Sequence, residues 1–265
     1  MPGISVLMSV FKERDEFLEE SLGSLINQSY RDFEVILIDD GMTDSNIKVV
    51  NSFNDPRIKL IKNDENLGLT KSLNKAASLA AGKYLARLDS DDWSTKERLQ
   101  IQFDFMEANP HIVVCAGRTQ DDIGNGILKE HRSIKIDSNS DLKTTLCYFN
   151  PFTHSTLFMR ADTFKKVKGY DENIKYAQDY NLIVRMAEEG ELSYLSDLLT
   201  IRHTAHESIT VKKNKAQTWS AIKSRVMAFR KFGGGPLFIL YLFRSLISLI
   251  LPGKLRDYLK KRVFS

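Results

Sequence analysis

Cysteine is almost missing from this chain: Cys115 and Cys147 are the two among 265 residues. Their spacing matches no metal-ligand pattern, and two thiols make no disulfide framework. Both lie among apolar residues and read as buried free thiols of a reducing compartment. The first residues, MPGISVLMSV, have neither a basic n-region nor a small-residue cleavage site. They read as a first β-strand, not a secretory signal, and a cytoplasmic protein is expected. Internal repeats and low-complexity segments are absent.

A long hydrophobic run is also lacking. The run Leu237 to Leu251, LFILYLFRSLISLIL, would span about 22 Å as a helix, short of a ~30 Å hydrocarbon core. Arg244 near its middle adds a penalty to crossing. At helical spacing Tyr241, Arg244, Ser245 and Ser248 form a narrow polar stripe on an otherwise apolar surface. Acidic residues are scarce in the same region: 211–265 holds 13 Lys or Arg against Asp257 alone, leaving 25 basic and 33 acidic residues in 1–210. A basic, apolar tail on an acidic body suits an anionic membrane surface. The apolar run argues against nucleic acid as its partner. The expectation is peripheral membrane contact through 236–265, Lys254, Arg256, Lys260, Lys261 and Arg262 supplying the charge. A helix packed on the body, or a homodimer contact, is the alternative.

With 42% hydrophobic and 27% charged residues, the chain is that of a globular protein with a sizeable core. Periodicity predicts strands at Ile4–Val10, Phe33–Ile38, Ile58–Lys62 and Tyr84–Leu88, with helices at Arg14–Asn27, Asp44–Phe53 and Leu69–Ala81 between them. This alternation predicts an α/β fold, a mostly parallel sheet with helices on both faces. Beyond it, helices are expected at Ser94–Asn109, Asp137–Phe149, Asp162–Lys168 and Ala177–Glu189. Strands are expected at Ile112–Ala116 and Ser155–Arg160, with a turn at Asp121–Gly126. The divisions expected are a catalytic domain over 1–210, in halves 1–92 and 93–210, and a helical extension over 211–265.

Ligands of such sheets bind beyond the carboxyl ends of the strands. Two acidic clusters fall there: Asp39-Asp40 after the second strand, and Asp89, Asp91 and Asp92 in RLDSDDW after the fourth. Carboxylates this close repel unless a cation or water separates them. Three readings are open for the second cluster: a divalent metal site, a solvated turn and a helix cap. An EF-hand is excluded, because the sixth and twelfth positions from Asp89 are Ser94 and Gln100.

Five blocks then carry a resemblance: ISVLMSVFK, QSYRDFEVILIDDGMTD, NLGLTKSLNKAASLAAGKYLARLDSDD, NPFTHSTLFMR and GYDENIKYAQDYNLIVRMAEEG. In this order they resemble the family 2 glycosyltransferases of bacterial surface-polysaccharide synthesis, which have the GT-A fold. The likeness runs from Ile4 to about Thr210. It implies inverting transfer from a nucleotide-sugar donor, UDP-linked, to a glycan acceptor, with Mn2+ or Mg2+ as cofactor. Asp39 and especially Asp40 would take the base or ribose, and Ser9 and Phe11 would line the nucleotide pocket with Ser90. Asp89 would serve the ribose or the metal, and Asp91 would ligate the metal. Asp92, Trp93, His154 and Gln178 would face the acceptor. Lys71 would meet the diphosphate, unless it is a solvated helix lysine.

Asp179 would be the general base, against the simpler reading of an N-terminal helix cap. His203 or His206 would complete the metal shell or bond a phosphate oxygen. Two positions depart from the family pattern: Lys12 stands where Asn is usual, and Met42 where Ser is usual. A lipid-linked acceptor would account for the tail, placing the protein at the inner face of the cell membrane. A catalytically degenerate scaffold is the non-enzymatic alternative. A sugar-phosphate nucleotidylyltransferase would need a glycine-rich loop after the first strand, where this chain has SVFKERDE.

Overall fold

The computed structural model describes residues 2–124, 126–131, 141–204 and 214–250. The first half follows the expected alternation: β1 (Ile4–Val10), α1 (Asp15–Ile26), β2 (Phe33–Asp39), α2 (Asp44–Ser52), β3 (Ile58–Lys62), α3 (Leu69–Leu79) and β4 (Tyr84–Arg87). There follow β5 (Asp92–Ser94), α4 (Arg98–Ala108), β6 (Ile112–Asp122), β7 (Leu128–Glu130), α5 (Leu142–Thr145), β8 (Phe158–Arg160), α6 (Ala161–Lys166), α7 (Gln178–Met186), β9 (Glu191–His203), α8 (Asn214–Phe232) and α9 (Leu237–Ile250).

All strands join one sheet in the order β3-β2-β1-β4-β8-β6-β9-β5, with β7 paired to β6. The first four are parallel, as expected. Beyond β4 the sheet is mixed: β8 runs antiparallel to both β4 and β6, and β9 runs parallel to β6. The two halves divided at residue 92 therefore share one sheet through the β4–β8 pairing.

Strand alternation sorts side chains into two core layers. Ile4, Val6, Met8 and Val10 of β1 pack with Leu18, Leu22, Leu25, Val50, Leu99 and Met106 of the helices on one face. Leu7, Ile36, Ile38 and Leu85 turn to the other, against Leu73, Ala76, Phe164, Leu182, Ile183 and Ala228. Ala228 belongs to α8, so the helix expected as part of an extension is built into the body's core.

Several boundaries differ from expectation. The helix expected from Ser94 starts at Arg98, because Asp92, Trp93 and Ser94 pair with Arg202, Ile201 and Thr200 as an edge strand. β6 runs on to Asp122 and forms a hairpin with β7 where a turn was expected. The strand expected from Ser155 begins at Phe158, after a 3₁₀ turn over His154–Thr156. Of the helix expected over Asp137–Phe149, α5 is the part among the described residues. β9 has no counterpart in the sequence reading.

Candidate active site

Four parallel strands deliver their carboxyl ends to one rim, and the acidic residues follow directly. After β4 the chain turns sharply, the Asp92 N–H donating to the Asp89 carbonyl at 3.3 Å, and this turn gathers three carboxylates. Single oxygens of Asp89, Asp91 and Asp92 all lie within 4.8 Å of one another. Asp91 has no hydrogen-bond partner among the described residues, leaving both its oxygens for a cation. Oxygen donors this close suit a hard divalent ion, and the residues present fit Mg2+ or Mn2+. Asp92 is buried, and burial together with the Asp91 charge pushes its carboxyl up to about 7.

A buried cation underlies the cluster. Arg87, 1% exposed at the end of β4, pairs with Asp89 Oδ1. Its Nη1 donates to Ser155 Oγ at 2.8 Å. Ser155 Oγ in turn lies 2.9 Å from Asp89 Oδ2 and against Asp92 Oδ2. Arg98 Nη2 holds the Arg87 carbonyl at 2.7 Å. Arg87 Nε has no partner. Burial pulls the guanidinium's pKa down, while Tyr170, Asp92, Asp91 and Asp179 favour its charge. One guanidinium thus pairs with the acidic cluster and also exerts its charge on Asp179.

Asp179 sits in the first turn of α7 and does not cap it; the N-cap is Ala177, in the left-handed region at φ 52°. A non-glycine residue there costs about 1–3 kcal/mol, and such strain clusters at functional sites. Asn150 Nδ2 donates to Asp179 Oδ2 at 2.9 Å. Burial raises the Asp179 carboxyl, opposed by the Tyr180 N–H, the Arg87 charge and Asn150. Beside it, His154 Nε2 and the Tyr170 hydroxyl are 2.7 Å apart. Burial first, and then the Arg87 charge, hold His154 well below its ordinary value, so it is neutral.

At the nucleotide edge, exposed Phe11 covers Gly41, whose φ is 122° and where a Cβ would fall 2.8 Å from the Phe11 ring. Lys12 lies over the Phe11 ring at 5.3 Å. Ser9 ends β1, and buried Ser90 donates to Glu13 Oε2 at 3.2 Å. Burial and Asp91 raise the Glu13 carboxyl. Asp39 Oδ1 accepts from the Gly41 and Met42 amides at 3.0 and 2.7 Å.

Asp40, from which a nucleotide contact is expected, has both carboxylate oxygens engaged within the protein. Its Oδ1 accepts from Asn63 Nδ2 and the Leu67 amide, both at 2.8 Å, and its Oδ2 from the Gly68 amide at 2.9 Å. It braces the loop leading into α3, whose first turn presents exposed Lys71.

His203 does not join the carboxylates. Its ring stacks on Phe17 at 4.1 Å, contacts Trp93, and bonds Glu20 Oε2 at 2.9 Å. Its ring is thus packed between Phe17 and Trp93, apart from the group of Asp89, Asp91 and Asp92. His206 lies outside the described residues. Gln178 is half-buried at the start of α7. The sequence reading missed Arg87, Ser155, Asn150, Tyr170 and Glu13. A charged residue inside the buried run Tyr84–Leu88 was the available signal for Arg87, since a buried charge requires partners.

A nucleotide-binding parallel half, continued by a mixed half that carries a second carboxylate centre, is the GT-A architecture of sugar-nucleotide transferases. The family model for Glycosyl transferase family 2 matches residues 5–168, and the chain belongs to that family. It is 30% identical to the putative glycosyltransferase EpsE of Bacillus subtilis, over 100% of this chain and 95% of that one. It is 29% identical to the amylovoran biosynthesis glycosyltransferase AmsE of Erwinia amylovora, over 97% and 98%. Among solved structures it resembles S. aureus TarS 1–349 in complex with UDP-GlcNAc, with a TM-score of 0.71 and 21% identity over 93% of this chain and 72% of that one. It also resembles the Pyrobaculum calidifontis mannosyltransferase PcManGT in complex with GDP-Man and Mn2+, with a TM-score of 0.67 and 17% identity over 94% and 70%.

Proposed function

We propose that this transferase moves a sugar, with inversion, from a UDP-sugar to a hydroxyl of a growing glycan in cell-surface polysaccharide synthesis. The observation that carries the reading is the cluster of Asp89, Asp91 and Asp92 at the carboxyl rim of the parallel strands, tied by the buried Arg87 charge to a second buried carboxylate, Asp179. Asp91 and Asp89 would hold a divalent ion, which when bound neutralises charge on the departing diphosphate. Phe11, Ser9 and Asp39 take the nucleoside, and Lys71 offers a point charge to the phosphates.

Asp179 accepts the acceptor's hydroxyl proton. Asn150 fixes its orientation, and burial raises its basicity above that of a solvated aspartate. Neutral His154 has its Nε2 committed to Tyr170, which favours a wall of the acceptor cleft over a competing base. The acceptor is a lipid-linked glycan, and contact of 236–265 with the inner face of the cell membrane would bring the cleft to it. AmsE, an amylovoran biosynthesis glycosyltransferase alike along its whole length, supports the polysaccharide part of this setting.

The test is a screen of UDP-sugars for Mn2+-dependent donor hydrolysis and thermal stabilisation by the purified chain. Stabilisation by at least one UDP-sugar that requires metal is expected; none with any nucleotide-sugar sinks the reading.

A further inference from the structure

Helix α9 is inside-out for a protein surrounded by water. Two members of its polar stripe point inward while Arg244 is exposed: Ser245 Oγ accepts from Arg225 Nη1 at 2.6 Å and donates to the Tyr241 carbonyl, and Tyr241 packs on Tyr148. Phe238 stacks on Phe229 of α8 at 3.9 Å. The outward side carries Ile239, Leu240, Phe243, Leu246 and Ile247, of which Ile239 is 69% exposed and Phe243 61%. At helical spacing these five share one arc. Contiguous exposed apolar rows of this kind mark interaction sites.

A groove on the outer side of α8 extends the feature, with Trp219, Ile222 and Val226 flanked by Lys223 and Arg230 and an accessible volume of about 660 Å³. An apolar floor with a cationic rim and an exposed tryptophan suits the boundary between headgroups and acyl chains.

We propose that the outward row of α9 and the groove of α8 form one seat on an anionic bilayer surface. Three observations select lipid over protein. No helix among the described residues is long and apolar enough to cross a membrane, so α9 lies in the interface. Its neighbours are cationic, and the sequence that follows adds Lys254, Arg256, Lys260, Lys261 and Arg262 against Asp257 alone. The remaining surface of a body rich in acid would be repelled, which fixes one orientation.

The seat is linked to α7. Arg225, which anchors α9, lies close to Tyr180, the residue after Asp179. Met227 of α8 meets Asn181 of α7. This rests on the proposed lipid-linked acceptor only for its purpose; the seat itself stands on the helix geometry.

The experiment is flotation of the full chain with phosphatidylglycerol/phosphatidylcholine vesicles, compared with pure phosphatidylcholine, at low and high salt. Wild type should float with anionic vesicles and release at high salt. Leu240→Glu/Phe243→Glu should weaken flotation at least about tenfold, because two charges would enter the apolar layer. Both sites are exposed, and unchanged thermal unfolding verifies folding. Should that variant melt early, Ile239→Ser/Ile247→Ser carries the same test. Flotation equal to wild type in a folded variant overturns the proposal. So does failure of wild type to float, or a vesicle-free dimer that the variant turns into a monomer. Donor hydrolysis in solution, measured on the same samples, reports on the catalytic reading independently.

Discussion

Asn150 Nδ2 donates to Asp179 Oδ2 at 2.9 Å, across 29 positions of sequence. Asp179 also takes amides of its own first turn, but Asn150 ties it in addition to another segment, which a simple helix cap does not need. Asp179→Asn keeps the shape and the bond's reach but cannot accept a proton. Transfer should fall about 10²–10⁴-fold, the range general-base catalysis contributes, with UDP-sugar affinity unchanged. Stopped transfer assays with calorimetric titration of UDP check this. Weakened binding with transfer retained would return Asp179 to a structural role.

The pH profile follows from the same group. Burial raises the Asp179 carboxyl, and the base works only when ionised. The acid limb of kcat/KM should therefore lie above the ordinary aspartate range, activity rising with pH through it. Asn150 bonds the ionised form and lowers the pKa, so Asn150→Ala should move that limb to higher pH. A limb that stays in place shows that another group carries the proton.

Arg87 is a positioning residue, since its 1% exposure keeps it from touching substrate. Arg87→Met leaves Asp89, Asp92 and Ser155 without their buried cation. Asp89 is 38% exposed and keeps water as a partner, so the loss in denaturant unfolding should be about 1–3 kcal/mol, that of buried polar groups left unsatisfied. The lost positive charge also raises Asp179 further. The acid limb of the residual activity should shift upward, a change that general destabilisation would not produce. Arg87→Lys should recover part of the pH shift, the charge being restored without the two-pronged geometry.

The sequence showed the carboxylate cluster because its members are neighbours, three carboxylates within four positions after an apolar strand. It could not show what supports them. Ser155 is 68 positions from Arg87, and nothing local in NPFTHSTLF distinguishes a hydroxyl that spans two carboxylates from one that packs. β1 to β4 were legible because each alternates with its own covering helix. β9 was not: Glu191, Ser193 and Asp197 interrupt its apolar residues, and its pairing to β6 contains bulges, so no clean period survives. His203 looked like a ligand by residue type alone, until Phe17, Trp93 and Glu20 were seen around it.

Asp91 is the carboxylate of the cluster with no protein donor, while Asp89 and Asp92 share Arg87 and Ser155. Asp91→Asn should therefore leave folding intact and remove Mn2+-dependent gains in UDP affinity and melting temperature. Thermal unfolding with metal and UDP, singly and together, reads both. A full metal-dependent gain in the variant would show that Asp91 is dispensable to the ion.

The adjacent pair Asp39-Asp40 looks equivalent in sequence and is split by the structure. Asp40 satisfies the amides of Leu67 and Gly68 and the side chain of Asn63, and truncation would leave two buried or half-buried N–H groups unpaired. An unsatisfied group costs about 1–3 kcal/mol, so Asp40→Ala should lower stability by about 2–4 kcal/mol. Asp39 spends Oδ1 on the turn at Gly41 and Met42, and its other oxygen has no partner among the described residues. Asp39→Asn preserves that turn through its amide oxygen and alters the acceptor face presented to a nucleoside. It should weaken UDP binding with little change in unfolding. Urea unfolding and UDP titration on both variants make a two-by-two comparison. The expected pattern is stability lost at Asp40 and affinity lost at Asp39; the reverse pattern would place the nucleoside on Asp40 and require the 63–68 loop to open when donor binds.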